Sequence, residues 1–222
     1  IMSISRRTEL LNWANENPDR YIVEDDYDSE FKYTGRPIPA LKANDINDKV
    51  IYLGSFSKSI SPAIRVSYLV LPKALLNIYQ RELPYFICPV PTLNQKILYR
   101  FIKDGYFVKH INKMRTLYKK KREFLVNTIK TYSSKILNKE IQIQGADAGL
   151  HMVIKLNQKI NEKLFLNECL ENSLKLYSLE EYNIEEIHRE KSYFLLGYAN
   201  LTNKEIEEGI SLMLKILKKY YI

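Results

Sequence analysis

Glycine is scarce in this chain, seven residues among 222, well below the roughly 7% of average proteins. None of the seven falls in a GxGxxG or GxxxxGK pattern, which counts against a Rossmann dinucleotide site and against a P-loop. The two cysteines, Cys88 and Cys169, lie far apart in sequence. They offer neither a disulfide scaffold nor a CxxC site, and both are expected to be inert buried thiols in a reducing cytoplasm. The three histidines, His110, His151 and His188, have no metal-ligand spacing, and there is no HExxH. A zinc hydrolase is not expected, and no metal site is assigned. His151, on an apolar strand, is expected in the core or on a pocket wall. No apolar run approaches the ~18 residues that span a bilayer, and Ile1–Arg7 lacks the pattern of a signal peptide.

What is present is globular. Apolar residues at 45% and charged residues at 27% argue against a disordered chain. The length suits one large domain or one and a half. The net charge of +8 would attract nucleic acid or other anions. Its densest cluster is Lys113, Arg115, Lys119, Lys120, Lys121 and Arg122, interleaved with Ile111, Met114, Leu117, Tyr118, Phe124 and Leu125. That spacing reads as the solvated face of a helix rather than a nucleic-acid patch, and no nucleic-acid-binding motif accompanies it.

Periodicity predicts a first helix over 5–17, capped by Ser5, with Leu10, Leu11, Trp13 and Ala14 buried. Short strands follow at Tyr21–Val23, Val50–Leu53 and Val66–Leu71, the last stopped by Pro72. A helical stretch over 92–131 is interrupted near Gly105. Beyond it come strands at Ile141–Gln144 and Leu150–Ile154, a helix at Asn161–Glu171, and strands at Leu174–Tyr177 and Tyr193–Tyr198. A last helix opens on the capping box Thr202-Asn203-Lys204-Glu205, with Ile206, Ile210, Met213, Leu214 and Leu217 as its buried stripe. The class is α/β, in two blocks, 1–105 and 106–222.

Two polar clusters end two of these strands, where open α/β sheets bind ligands. One is acidic, Glu24-Asp25-Asp26-Tyr27-Asp28. The other holds a lysine among hydroxyls, Ser55-Phe56-Ser57-Lys58-Ser59, followed by Arg65. A lysine partly buried beside another cation can serve as a Schiff-base former. An arginine fork with serine hydroxyls suits a phosphate dianion. A carboxylate can pair with a protonated ring nitrogen, and a phenol with a ring oxygen. Together these are the parts of a pyridoxal phosphate site. Asp26 competes with Asp25, because a one-residue slip flips every side chain of a strand.

Four segments carry a family resemblance: Val23 to Phe31 (VEDDYDSEF), Ile38-Pro39-Ala40-Leu41, Ile51 to Ser59 (IYLGSFSKS), and Pro62 with Arg65-Val66-Ser67-Tyr68. With Gly145 to His151 and Gly197 to Leu201, they resemble the aminotransferase-like domain of MocR/GabR regulators. The resemblance covers essentially the whole chain. It implies the C-terminal part of the fold-type-I large domain of pyridoxal-phosphate-dependent aminotransferases, with a mixed, mostly parallel sheet, plus an α+β small C-terminal domain. The 1–105 block would be a partial large domain, and 106–222 a linking helix and the small domain.

By position, the resemblance implies that Lys58 forms the internal aldimine with pyridoxal 5'-phosphate. Asp25 would face the pyridine nitrogen and Tyr27 the ring hydroxyl, with Ser55, Ser57 and Arg65 on the phosphate. Thr92 would reach the phosphate of a neighbouring subunit in a homodimer. The implied role is an effector-binding and dimerisation domain of a GntR/MocR-type transcription regulator, sensing an amino compound by aldimine exchange. DNA would be bound only by a preceding winged-helix domain, no membrane would be bound, and the setting would be cytoplasmic.

The sequence also departs from the family. It begins past the expected winged helix and the first half of the large domain. Ordinary aminotransferases carry a carboxylate-binding arginine on the strand that reads here Tyr193-Phe194-Leu195-Leu196-Gly197. Glu181 stands where the GABA-sensing branch has an arginine, which suggests an effector offering an amine there. Two other readings remain open: part of a true aminotransferase acting on a 2-oxo acid, and a basic module binding nucleic acid through the Lys113–Arg122 face.

Overall fold

The computed structural model describes residues 2–35, 39–182 and 190–221. Ile38 of the quoted motif and His188 lie outside the described residues. The chain divides into two compact units, Ile1–Met114 and Arg115–Ile222.

In the first unit, helix α1 (Ile4–Asn15) is capped by Ser3 rather than Ser5. The Ser3 hydroxyl accepts from the Arg6 N–H, and Ser5 instead donates to Glu9 one turn on. Trp13 is not part of a buried stripe. It is 46% exposed, and the Arg20 guanidinium sits 4.8 Å from its ring centre. The ring is thus held by a cation at the surface, while Ala14 is the buried position.

Strand β1 (Ile22–Asp26) runs on through the acidic cluster. Strand β2 (Val50–Ser55) lies parallel to it, from Ile22 opposite Val50 to Asp26 opposite Gly54. A one-turn helix, α2 (Phe56–Ser59), follows. Strand β3 (Ser67–Val70) then pairs antiparallel with β2, giving a mixed sheet in the order β1-β2-β3. Helix α3 (Lys73–Glu82) was not expected, although Leu75, Leu76, Ile78 and Tyr79 recur in it at helical spacing; none of its residues is buried. Helix α4 (Thr92–Lys103) and helix α5 (Tyr106–Leu137) are separated at Gly105, whose φ of +78° suits glycine. Cys88 lies in the segment joining α3 to α4 and is exposed, contrary to the expected burial. Gln95 of α4 reaches the segment, donating to the Val90 carbonyl at 2.8 Å and lying 3.7 Å from the Cys88 sulfur, but the neighbours Phe86 and Ile87 are exposed as well.

Gly54 is required by contact rather than by backbone freedom. The Tyr68 ring crosses it so closely that an added Cβ would sit 2.2 Å from a ring carbon. Gly54→Ala is expected to cost about 1–3 kcal/mol, the usual range for overpacking, measured as a lower urea midpoint. An unchanged midpoint would mean that the ring swings clear.

The second unit is an antiparallel sheet with helices. Strands β4 (Gln142–Gln144) and β5 (His151–Lys155) precede helix α6 (Glu162–Glu171), strand β6 (Tyr177–Ser178), strand β7 (Tyr193–Gly197) and helix α7 (Asn203–Leu217). The sheet order is β4-β5-β7-β6. Asn161 caps α6, and Thr202 with Glu205 forms the complete capping box of α7. All five residues of the expected α7 stripe are buried. They share the core with Leu125 and Ile129 of α5, Met152 and Ile154 of β5, and Phe194 of β7.

β6 is shorter than expected because Leu174 has other work. Its backbone N–H donates to the Cys169 carbonyl at 2.9 Å, closing the end of α6. Ser173 before it adopts a left-handed φ of +61°. Cys169 is fully buried, and burial, with Glu168 beside it, pushes its thiol up to about 12. His151 is exposed rather than in the core. Part of the basic cluster on α5 serves this unit's own loops: Lys121 donates to the Ala199 carbonyl at 2.7 Å, and Arg122 donates to the carbonyl of Ala146.

Candidate functional site

The carboxyl ends of the parallel strands β1 and β2 lie side by side, and the predicted residues gather there. Alternation along β1 puts Glu24 and Asp26 on one face and Val23 and Asp25 on the other. The first face is fully engaged. Glu24 accepts from the backbone N–H of Leu41 at 2.7 Å and of Lys42 at 3.0 Å, and it pairs with Arg7. Asp26 accepts from the Tyr52 hydroxyl at 2.7 Å, from the Ser29 hydroxyl at 2.7 Å and from the Ser29 N–H at 3.2 Å.

The second face is not engaged. Asp25 is exposed and has no hydrogen-bond or ion-pair partner among the described residues. Just past it, Tyr27 is 48% exposed. The Asp28 carboxylate, partial burial and Asp25 together push its phenol above the ordinary range, so it stays protonated and can donate.

At the end of β2, Ser55 caps α2 by accepting from the Ser57 N–H at 3.2 Å. Lys58 follows in that turn, exposed and without a partner among the described residues. The partial burial expected of this lysine is not supplied by the described residues. Ser61 caps the 3-10 turn Pro62–Ile64 and leads into Arg65. Phe56 N–H donates to the Val66 carbonyl at 3.0 Å, so Lys58 and Arg65 belong to one loop closed at its base. Ser67, next along, pairs with Ser55 across the sheet.

Arg65 is exposed, with no partner among the described residues. Its backbone is left-handed, at φ 49° and ψ 40°. For a non-glycine residue such a conformation costs of order 1–3 kcal/mol, and such strain concentrates at ligand clamps.

Two predicted residues belong to other elements. Thr92 is the exposed first residue of α4, and Glu181 is exposed on the 3-10 turn Leu179–Tyr182 in the second unit. Glu180, next to it in the turn, is tied down: its N–H donates to the Ser178 hydroxyl at 2.9 Å, and Lys159 bridges Glu180 and the buried Glu162. Sequence reasoning gave no role to Tyr52. No signal in the sequence alone could have found it, because its match to Glu24 and Asp26 emerges only once β1 and β2 are set in register.

The family described as aminotransferase class I and II matches residues 8–212. The chain is 37% identical over 211 residues to the HTH-type transcriptional regulator YdeL of Bacillus subtilis, covering 95% of this chain and 44% of that protein. It is 29% identical to the probable rhizopine catabolism regulatory protein MocR of Rhizobium meliloti, covering 95% of this chain and 41% of that one. Its backbone resembles that of a multiple substrate aminotransferase from Thermococcus profundus with a TM-score of 0.83 at 26% identity, over 98% of this chain and 52% of that one. The chain thus spans about half, or somewhat less, of the length of the relatives it matches. No helix among the described residues is long and apolar enough to cross a membrane.

Proposed function

Because the chain belongs to the aminotransferase class I and II family and has the fold-type-I architecture, we propose that it is the C-terminal part of the effector-binding and dimerisation domain of a GntR/MocR-type regulator, with pyridoxal 5'-phosphate as its cofactor. The observation that carries this reading is the set of uncommitted charges at one sheet end. Asp25, Lys58 and Arg65 are without partners among the described residues, while Glu24 and Asp26, on either side of Asp25 in β1, are both engaged.

The donor set suits the cofactor group by group. The Arg65 fork and the hydroxyls of Ser55 and Ser57 match a phosphate dianion. Asp25 would hold the proton of a pyridinium nitrogen, and Tyr27 would donate to the ring oxygen. When bound, the cofactor supplies an electron-poor aldehyde that condenses with primary amines. Lys58 would provide the resident amine, the group with which an incoming amino compound would compete. Displacement at Lys58 would shift the balance between conformations of a homodimer. Contact with DNA would belong to a winged-helix domain outside these 222 residues, and the setting would be cytoplasmic.

Glu181 stands where the GABA-sensing branch has an arginine, which favours an effector presenting a second amine rather than a terminal carboxylate. A titration of the intact, cofactor-loaded protein is expected to show an alkyl diamine altering the visible band at lower concentration than GABA does. Tight GABA binding would overturn that assignment. The second reading, part of a true aminotransferase, is favoured by the solved neighbours being aminotransferases. Against it, β7 carries no arginine. Conversion of an amino donor to its oxo acid over many turnovers would decide for the enzyme, and an absence of turnover for the regulator.

A further inference from the structure

Two adjacent aspartates end β1, and only one is spent on the fold. Asp26 is the last strand residue, and both of its carboxylate oxygens are used. One accepts the Ser29 N–H, closing the turn that follows, and the other accepts the hydroxyls of Ser29 and Tyr52. Tyr52 comes from the neighbouring strand, where it stands opposite Glu24. Its ring is itself held from the far side, 6.2 Å from that of Tyr68, and Tyr68 lies across Gly54. The tyrosine pair therefore backs the carboxylate from β2 and β3 in turn. Burial, and then the hydrogen bond to Asp26, push the Tyr52 phenol up, so it remains a donor at ordinary pH.

We propose that Tyr52 and Asp26 form a register pin that fixes the end of β1, so that Asp25 and not Asp26 is presented on the ligand side, and that Tyr52 is a positioning residue for the cofactor site. This inference rests on the cofactor reading above. Backbone ladders alone leave a strand end free to fray or to slip by one residue, and a slip would exchange the two acids. A side-chain bond from the middle of β2 to the last residue of β1 removes that freedom. It acts on Asp25 through the shared backbone, without touching the ligand.

The test uses the intact protein titrated with pyridoxal 5'-phosphate. Tyr52→Phe deletes one hydroxyl and keeps the ring. It is expected to weaken cofactor binding by about tenfold, the scale of one lost hydrogen bond to a charged group. It should also reduce the visible circular dichroism per bound cofactor, which reports how firmly the ring is oriented. Ser29→Ala removes another donor to the same carboxylate and should move both readouts in the same direction. Thr202→Ala, which weakens the α7 cap in the second unit, should leave the dichroism per bound cofactor unchanged, separating positioning from general loosening. Wild-type affinity and dichroism in Tyr52→Phe would overturn the inference. If that variant does not fold, wild-type values in Ser29→Ala would do so. A parent protein that acquires no Lys58-dependent visible band would instead overturn the cofactor reading, and this inference with it.

Discussion

Lys58→Ala is expected to abolish both the visible absorbance band and the borohydride-fixed label that the intact protein acquires with pyridoxal 5'-phosphate. The effect should be all or none, because no remaining group can replace a primary amine in condensing with an aldehyde. Lys42 and Lys49 are committed at the other, amino end of β1 and β2: Lys42 is 2.7 Å from Asp48 and 3.3 Å from Asp45, and Lys49 donates to the carbonyls of Asn17 and Pro18. Arg65→Ala should behave differently. It keeps the amine and loses the phosphate clamp, so the label persists while the cofactor binds about ten- to a hundredfold more weakly, as expected for lost charge-assisted hydrogen bonds. Peptide mapping of the reduced protein checks both expectations, and a label mapped to any other lysine would end the assignment.

Phe194→Ala is expected to be the most damaging single change in the second unit, lowering its stability by about 3–5 kcal/mol, the range for truncating a buried aromatic ring. Phe194 is fully buried on β7, between β5 and β6. Its ring meets the edge of Phe165 from α6 at 5.0 Å between centres, joining sheet to helix. Urea unfolding followed by far-ultraviolet circular dichroism would register the loss. A change below about 1 kcal/mol would show that the site collapses around the deletion, which the close packing of protein interiors argues against.

The parts of the fold written in local chemistry were legible in the sequence. Thr202 and Glu205 announce α7 because capping partners are a fixed distance apart, and Asn161 announces α6 in the same way. Trp13, Leu174 and Cys88 were misread because their fates are set by single contacts that periodicity does not encode. Trp13 is held by Arg20, Leu174 gives its N–H to Cys169, and Cys88 is exposed beside Gln95. Helix α3 was legible in Leu75, Leu76, Ile78 and Tyr79, which share one helical face, and it was overlooked because Pro72 was read only as the end of a strand. At the site, the motifs located the two strand ends, and alternation implied that Asp25 and Asp26 point to opposite sides. Which side each one takes is decided by Tyr52, a partner on another strand, and sequence periodicity carries no such information. Exposure of Lys58 and of His151 was equally illegible, since burial depends on what the rest of the chain brings near.

The outer flanks of β1 and β3 are joined by no further strand among the described residues. Their unpaired amide and carbonyl groups form two ready templates for strand addition. Val23 beside one and Leu69 beside the other are more than half exposed, but β1 also carries Glu24, Asp25 and Asp26, whereas β3 carries no charge. Like charge would therefore turn a second β1 flank away from the first, and the β3 flank has no such guard.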